Sequence, residues 1–114
     1  MKLTTLKNKL DRLIQQNRTG QICLVCGGRA NVRHHFIQKK QSEFLRYDDR
    51  NLIDLCDSCH LGIHKRGDPE ITETIIRKKG KKWYNWIIKS RRIFVKQDKL
   101  YAEKLKELYE RLSE

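Results

Sequence analysis

Apolar residues at the start of the chain recur with the period of an α-helix. Leucine and isoleucine fall three or four positions apart over residues 1–18, with lysines and arginines between them. The apolar positions are Leu3, Leu6, Leu10, Leu13 and Ile14. This pattern predicts an amphipathic helix whose apolar stripe packs on a core, and Thr19-Gly20 is expected to end it.

The middle of the chain predicts a strand, a loop, a second strand and a helix. Residues 29–37 and 51–55 are short apolar stretches typical of strands, and the polar residues 38–50 between them have no clear period. Asp57 is expected to cap a helix that reaches about Lys65. Gly67 and Pro69 then end it.

Residues 70–114 predict three helices. The first covers residues 71–79 and ends at Gly80, and the second runs from 81 to about 95. The third is expected to pack against the N-terminal helix, although a homodimer through the terminal helices is an alternative. Its apolar stripe consists of Tyr101, Leu105, Leu108 and Leu112. The chain is thus predicted to be one α+β domain (1–114), with an N-terminal helix (1–20), a cysteine- and histidine-rich core (21–67) and a basic helical extension (68–114).

The chain carries a large excess of positive charge. Lysine and arginine number 26 against 14 acidic residues, which gives a net charge of +12 and a pI near 9.8. Such a charge favours a nucleic-acid partner over a protein that is merely basic. Hydrophobic residues are only 38%, so a small core that gains from a bound metal is expected. No apolar run follows Met1 or approaches the ~18 residues of a membrane span, so a cytoplasmic location without a membrane is expected.

Four cysteines form two Cys-x-x-Cys pairs, Cys23 with Cys26 and Cys56 with Cys59. In a reduced compartment such pairs are better metal ligands than disulfides. Two residues between thiolates let both sulfurs reach one tetrahedral ion, and Gly27-Gly28 allows the tight turn behind the first pair. Because four thiolates leave no open coordination position, the pattern predicts a structural Zn²⁺ site.

All four histidines lie inside this cysteine frame. His34 and His35 are adjacent on a predicted strand, so their side chains point to opposite faces. One of them can bind a metal while the other is free to take a proton. His60 and His64 are four positions apart on a predicted helix, so they share a face and can hold one ion together. Three imidazoles leave coordination positions open for a phosphate oxygen and water.

In combination these motifs resemble the HNH (ββα-metal, His-Me finger) endonuclease family. The resemblance covers residues 21–65 and rests on Cys-x-x-Cys, His34-His35-Phe36-Ile37, Asn51-Leu52, Cys56-x-x-Cys59-His60 and His64. It implies that His35 is the general base and that Asn51 braces the loop between the strands. It also implies that His34 and His60 bind the catalytic metal. His64 matches a further helical ligand of the colicin-type nucleases. The expected fold is a small ββα-metal, zinc-stabilised core flanked by N- and C-terminal helices.

The activity implied by this resemblance is hydrolysis of DNA phosphodiester bonds, leaving 5′-phosphate and 3′-hydroxyl ends. Neutral His35 would take a proton from the attacking water. One divalent cation (Zn²⁺, Ni²⁺, Mn²⁺ or Mg²⁺) would stabilise charge on the phosphate and on the departing oxygen. The alternative is a non-catalytic zinc-finger DNA-binding module. It explains the cysteines equally well, but not the adjacent histidines.

A second similarity extends over a longer part of the chain. The matching residues are His35-Phe36-Ile37, Arg46-Tyr47-Asp48-Asp49-Arg50-Asn51, Cys56-x-x-Cys59 and Gly67-Asp68-Pro69-Glu70. They are similar to the phage NinG/Rap recombination proteins, which cleave branched DNA. This similarity implies a phage or mobile-element origin and a branched or duplex DNA substrate.

Positive charge is densest after the cysteine frame. Residues 77–97 contain nine basic residues and no acid. Among them Lys81, Lys82, Arg91 and Arg92 are predicted to contact the DNA backbone. The interleaved tryptophans are expected to be core rather than stacking surfaces. Near the metal, the loop residues Lys39, Lys40 and Arg46 are predicted to contact the scissile phosphate.

Overall fold

A computed structural model describes residues 1–16 and 21–114 of the chain. In these residues five α-helices accompany a two-stranded antiparallel sheet, which confirms the expected α+β class. The elements are α1 (Leu3–Gln15), β1 (Val32–His35), a 3₁₀ turn (Asp49–Asn51), β2 (Leu52–Leu55), α2 (Asp57–His64), α3 (Pro69–Lys79), α4 (Lys81–Ser90) and α5 (Lys99–Leu112). The expected helix stop at Thr19-Gly20 lies outside the described residues.

The two strands are shorter than the sequence pattern predicts. β1 pairs with β2 from Val32 opposite Leu55 to His35 opposite Leu52. Beyond His35, the backbone N–H groups of residues 36 and 37 donate to the backbone and side-chain oxygens of Asn51, so the chain leaves the ladder there. At the other end, Arg29 forms an isolated bridge with Ile22 and belongs to the turn of the first cysteine pair.

Three small hydrophobic clusters hold the helices around this hairpin. The first lies under the sheet and contains Cys23, Ile53, Leu55, Ile71 and Ile75, which joins α3 to the hairpin. The second joins α1 to α5, and the third joins the loop after β1 to α4. Their buried members are Leu6, Leu10 and Leu105 in the second, and Ile37, Leu45 and Ile87 in the third.

The C-terminal stripe therefore packs within the chain, as expected. Leu105 is buried against α1, with Tyr101 and Leu108 beside it. This contact removes apolar surface of both terminal helices from water. A homodimer through the same helices stays a prediction.

Two predicted helix ends were wrong. Cys56, not Asp57, caps α2, because its sulfur accepts a hydrogen bond from the backbone N–H of Cys59. Helix α4 ends at Ser90 rather than near residue 95. The following Ile93 and Phe94 are 47% and 86% exposed, so no packing compensates for the weak helix propensity of β-branched and aromatic residues.

Among the described residues, no helix is long and apolar enough to cross a membrane.

Candidate metal centres and active site

The four cysteines converge on one point. Their sulfur atoms all lie within 4.8 Å of one another, because the antiparallel pairing of Val32 with Leu55 brings the segment before β1 beside the segment after β2. Cys23 and Cys26 lie in a tight turn, in which Gly27 adopts a φ of +79° and donates its N–H to the carbonyl of Cys23. Cys56 and Cys59 lie at the start of α2. This cluster can hold a zinc ion.

The spacing and surroundings of the thiols fit a tetrahedral cation. The sulfurs of Cys26 and Cys56 are 3.6 Å apart, far longer than a disulfide and close to the ~3.8 Å edge of a Zn–S₄ tetrahedron with bonds of about 2.3 Å. Backbone N–H groups of Gly28 and Cys59 donate to two of the sulfurs. Such donors stabilise thiolate charge.

Without a cation, the pKa values of Cys23 and Cys59 are shifted in opposite directions. Burial raises the pKa of Cys23, but hydrogen bonds from the backbone of neighbouring residues outweigh it and bring the pKa to about 6. Burial and then the adjacent sulfurs raise the pKa of Cys59. One thiolate therefore forms easily and the next does not. A divalent cation removes that repulsion.

Three histidines form a second cluster. The ligand atoms of His34, His60 and His64 all lie within 4.8 Å of one another. His34 projects from β1 and is 8% exposed, while the other two come from successive turns of α2. The ring centroids are 5.4, 5.3 and 4.4 Å apart. Three imidazole nitrogens at these separations are close enough to share one metal ion.

Two rings of this cluster have a lowered pKa, which favours the neutral form that binds metals. Burial, and then the nearby His60 and His64, lower the pKa of His34 to about 4. Burial and then His64 also lower the pKa of His60. A neutral imidazole keeps a lone pair available for coordination. The side chains fit one divalent cation with open positions left over.

His35 lines the same cleft as the three histidines, next to His34 in sequence but on the opposite face of β1. Its Nε2 atom lies 2.8 Å from the backbone carbonyl oxygen of Arg46. A carbonyl only accepts, so in the neutral ring Nε2 carries the proton and Nδ1 has the free lone pair. Burial lowers the pKa of His35, and the hydrogen bond to Arg46 offsets only part of that effect.

Asn51 holds the loop between the strands in place. It is fully buried, and its side chain accepts from the N–H of Ile37 at 2.7 Å. Its amide group donates to the carbonyl oxygens of Ile37 and Leu45, at 3.0 and 3.2 Å. One side chain thus ties together the start and the middle of the 38–50 loop. Asn51 touches the loop backbone rather than His35 itself.

The predicted loop contacts to DNA separate into two groups. Lys39 and Lys40 are exposed, and Lys39 lines the histidine cleft. Arg46 instead points inward, where its guanidinium binds Asp11 at 2.6 and 3.3 Å and lies 3.8 Å from Glu43. With 16% of its side chain exposed, Arg46 is engaged within the chain.

The basic residues predicted to contact DNA beyond the core are all exposed, on α4 or just after it. They are Lys81, Lys82, Arg91 and Arg92.

The tryptophans are not free stacking surfaces, as expected. Trp83 packs on Phe36 with ring centroids 4.9 Å apart and donates its indole N–H to the carbonyl of Arg50. The guanidinium of Arg50 lies 3.8 Å over the ring of Trp86.

Sequence reasoning missed several residues around the cleft. Gln15, Arg33 and Gln38 line it together with the histidines. Asp11, the partner of Arg46, also lies 3.8 Å from Lys39. The sequence offered one signal for Asp11. Lys7 and Asp11 are four positions apart, which places two opposite charges on one face of α1.

Comparisons with known proteins give this chain no assigned family. No protein-family model, no curated protein and no solved structure matches it.

Proposed function

We propose that the protein is a metal-dependent endonuclease of the ββα-metal type that hydrolyses DNA phosphodiester bonds. The observation that carries the proposal is the arrangement of His35. This imidazole shares a cleft with a three-histidine cluster, and a backbone carbonyl holds its Nε2 atom. A histidine with a fixed tautomer beside a cation site is the arrangement required of a general base in metal-assisted hydrolysis.

The two clusters have different roles in this proposal. The four cysteines hold a structural zinc, since a four-thiolate shell has no position for substrate. His34, His60 and His64 hold the catalytic cation, which supplies positive charge toward the phosphate and the departing 3′-oxygen when it is bound. Imidazole ligands suit Zn²⁺, Ni²⁺ and Mn²⁺, and open positions also accept Mg²⁺.

His35 carries the proton transfer. Its Nδ1 lone pair accepts a proton from water as the water oxygen attacks phosphorus, and the bond from phosphorus to the 3′-oxygen breaks. The released 3′-oxygen takes a proton from solvent, and the other strand end keeps the phosphate. The Arg46 carbonyl holds the resulting imidazolium in place through Nε2–H, and Asn51 keeps the loop that carries this carbonyl fixed.

In this proposal the exposed basic residues provide the binding affinity for DNA. Lys39 and Lys40 lie at or near the cleft, where they can contact the scissile phosphate. The exposed cations of α4 and the segment after it neutralise phosphates farther along the strand. Arg46 has no part in this contact, because Asp11 and Glu43 already bind its guanidinium.

The test is a cleavage assay on zinc-loaded protein with added Mg²⁺, Mn²⁺, Ni²⁺ or no metal. Linear duplex, single-stranded DNA and a four-way junction serve as substrates, because the phage NinG/Rap similarity favours branched DNA. We expect metal-dependent cutting that EDTA stops. A His35→Ala preparation purified in parallel should be inactive, which excludes a contaminating nuclease.

The competing function, a zinc-binding DNA module without chemistry, gives a different result. It predicts DNA binding by both proteins and cutting by neither, with every metal and substrate. That outcome overturns the nuclease proposal.

A further inference from the structure

We propose that Asp11, on α1, is a positioning residue that fixes the general base His35 by anchoring Arg46. This inference rests on the proposed nuclease function. It concerns residues outside the cysteine and histidine motifs, and it gives the N-terminal helix a role in the active site.

The contacts form a short chain from α1 to the imidazole. Both carboxylate oxygens of Asp11 bind the guanidinium of Arg46, at 3.3 Å from Nε and 2.6 Å from a terminal nitrogen. The same arginine presents its backbone carbonyl to His35 Nε2 at 2.8 Å. A two-point ion pair fixes the orientation of the guanidinium as well as its position. Asp11 therefore holds the side chain of Arg46, while the backbone carbonyl of the same residue points at the His35 ring.

Neighbouring bonds leave the backbone around this carbonyl little freedom. The N–H of Arg46 donates to the carbonyl of Glu43, and the carbonyl of Leu45 accepts from Asn51. The N–H of Leu45 donates to the buried hydroxyl of Ser42. These three bonds all run within residues 42–51. The Asp11 pair is the contact that ties Arg46 to a rigid helix.

A balanced set of charges surrounds the pair. Lys7, one turn before Asp11 on α1, lies 2.7 Å from Glu43, and Glu43 lies 3.8 Å from Arg46. The hydroxyl of Tyr101, on α5, donates to the second oxygen of Glu43. The four charged side chains are only 13–18% exposed. In such surroundings each charge depends on its partner, so both terminal helices help to hold the loop.

The test compares Asp11→Asn with wild type and with Glu103→Gln. The control removes one acidic charge from an exposed position on α5, so the change in net charge is the same. The first readout is the ¹⁵N-resolved NMR signal of the His35 ring, which reports tautomer and hydrogen bonding without DNA. The second is the single-turnover cleavage rate at saturating DNA and metal, measured beside the DNA dissociation constant.

For Asp11→Asn we expect the His35 Nε2–H signal to broaden or disappear and the single-turnover rate to fall by about 10- to 100-fold, the usual cost of a ~1 Å misplacement. DNA affinity should stay within about twofold, and Asp11→Glu should restore part of the rate. If Asp11→Asn fails to fold, Arg46→Lys is the replacement, because it keeps the charge and removes the two-point geometry of the ion pair.

An unchanged His35 signal together with an unchanged rate overturns the positioning role. Inactive wild-type protein would instead overturn the nuclease proposal, and the NMR comparison would still decide whether Asp11 fixes His35.

Discussion

Gln15 makes two hydrogen bonds with the backbone of Arg33. Its side-chain oxygen accepts from the N–H of Arg33 at 2.9 Å, and its side-chain amide donates to the carbonyl of the same residue at 2.8 Å. The side chain thus imitates a neighbouring strand on the open edge of β1. Because Arg33 directly precedes His34 and His35, the last turn of α1 fixes the strand that carries both.

Removal of the Gln15 side chain should weaken the strand without disturbing the core. We expect Gln15→Ala to lower the free energy of unfolding by roughly 1 kcal/mol, since two exposed hydrogen bonds are exchanged for bonds to water. Thermal melting measures the effect. Gln16→Ala, at the exposed neighbouring position, is the control and should melt as wild type does. Equal melting of both variants would mean that the Gln15 bonds add nothing to the stability of β1.

Removal of one thiolate should disrupt the zinc site. Cys56→Ser is expected to lose zinc and to lower the melting temperature by more than about 10 °C, because binding of a structural zinc contributes directly to folding free energy. Ser58→Ala, at an exposed position two residues away, controls for changes in α2. Metal analysis of the purified proteins accompanies the melts. A zinc-free wild type, or a Cys56→Ser variant that melts normally, argues against this site.

The histidines should separate into ligands and base by their response to metal concentration. His64→Ala is expected to weaken metal binding by about 10-fold or more, and a higher metal concentration should restore part of its cleavage rate. His35→Ala removes no ligand, so we expect metal affinity and DNA affinity near those of wild type and no cleavage at any metal concentration. Cleavage rates over a metal titration distinguish the two. Metal rescue of His35→Ala would assign that residue to the ligand set.

The exposed basic residues around α4 should control DNA affinity rather than chemistry. Neutralising Lys81, Lys82, Arg91 and Arg92 together is expected to weaken DNA binding and to make it less sensitive to salt. The log–log salt slope should fall by roughly 0.9 for each duplex phosphate that the protein no longer neutralises. The single-turnover rate at saturating DNA should change little.

A matched control removes the same charge from other exposed positions: Lys2, Lys99, Lys104 and Lys106. If both sets lower the salt slope equally, binding follows net charge and α4 has no special part. A collapse of the single-turnover rate in the α4 set would place that surface in the active site.

Sequence spacing predicts what lies close together along the chain. Cys-x-x-Cys and the four-residue step from His60 to His64 each bring two ligands together within a single turn or helix. The pattern of α1 and α5 also predicts their packing, because both apolar stripes need a partner. Spacing alone cannot reveal a pair such as Asp11 and Arg46, which are 35 residues apart. From the sequence Arg46 is therefore predicted to contact DNA, and only the packing of α1 on the loop reveals its internal partner.

Helix α2 belongs to both metal clusters. Its first turn carries Cys59 and the next residue is His60, so a member of the cysteine cluster is bonded directly to a member of the histidine cluster. Any ion that orders this helix does so for both clusters at once. Under the proposed function we therefore expect zinc on the thiolates to raise the affinity of the imidazoles for their cation, and reciprocity requires that cation to raise the affinity of the thiolates for zinc by the same factor. On this proposal, a chelator that empties the cysteines is expected to act as an allosteric antagonist of cation binding at the histidines.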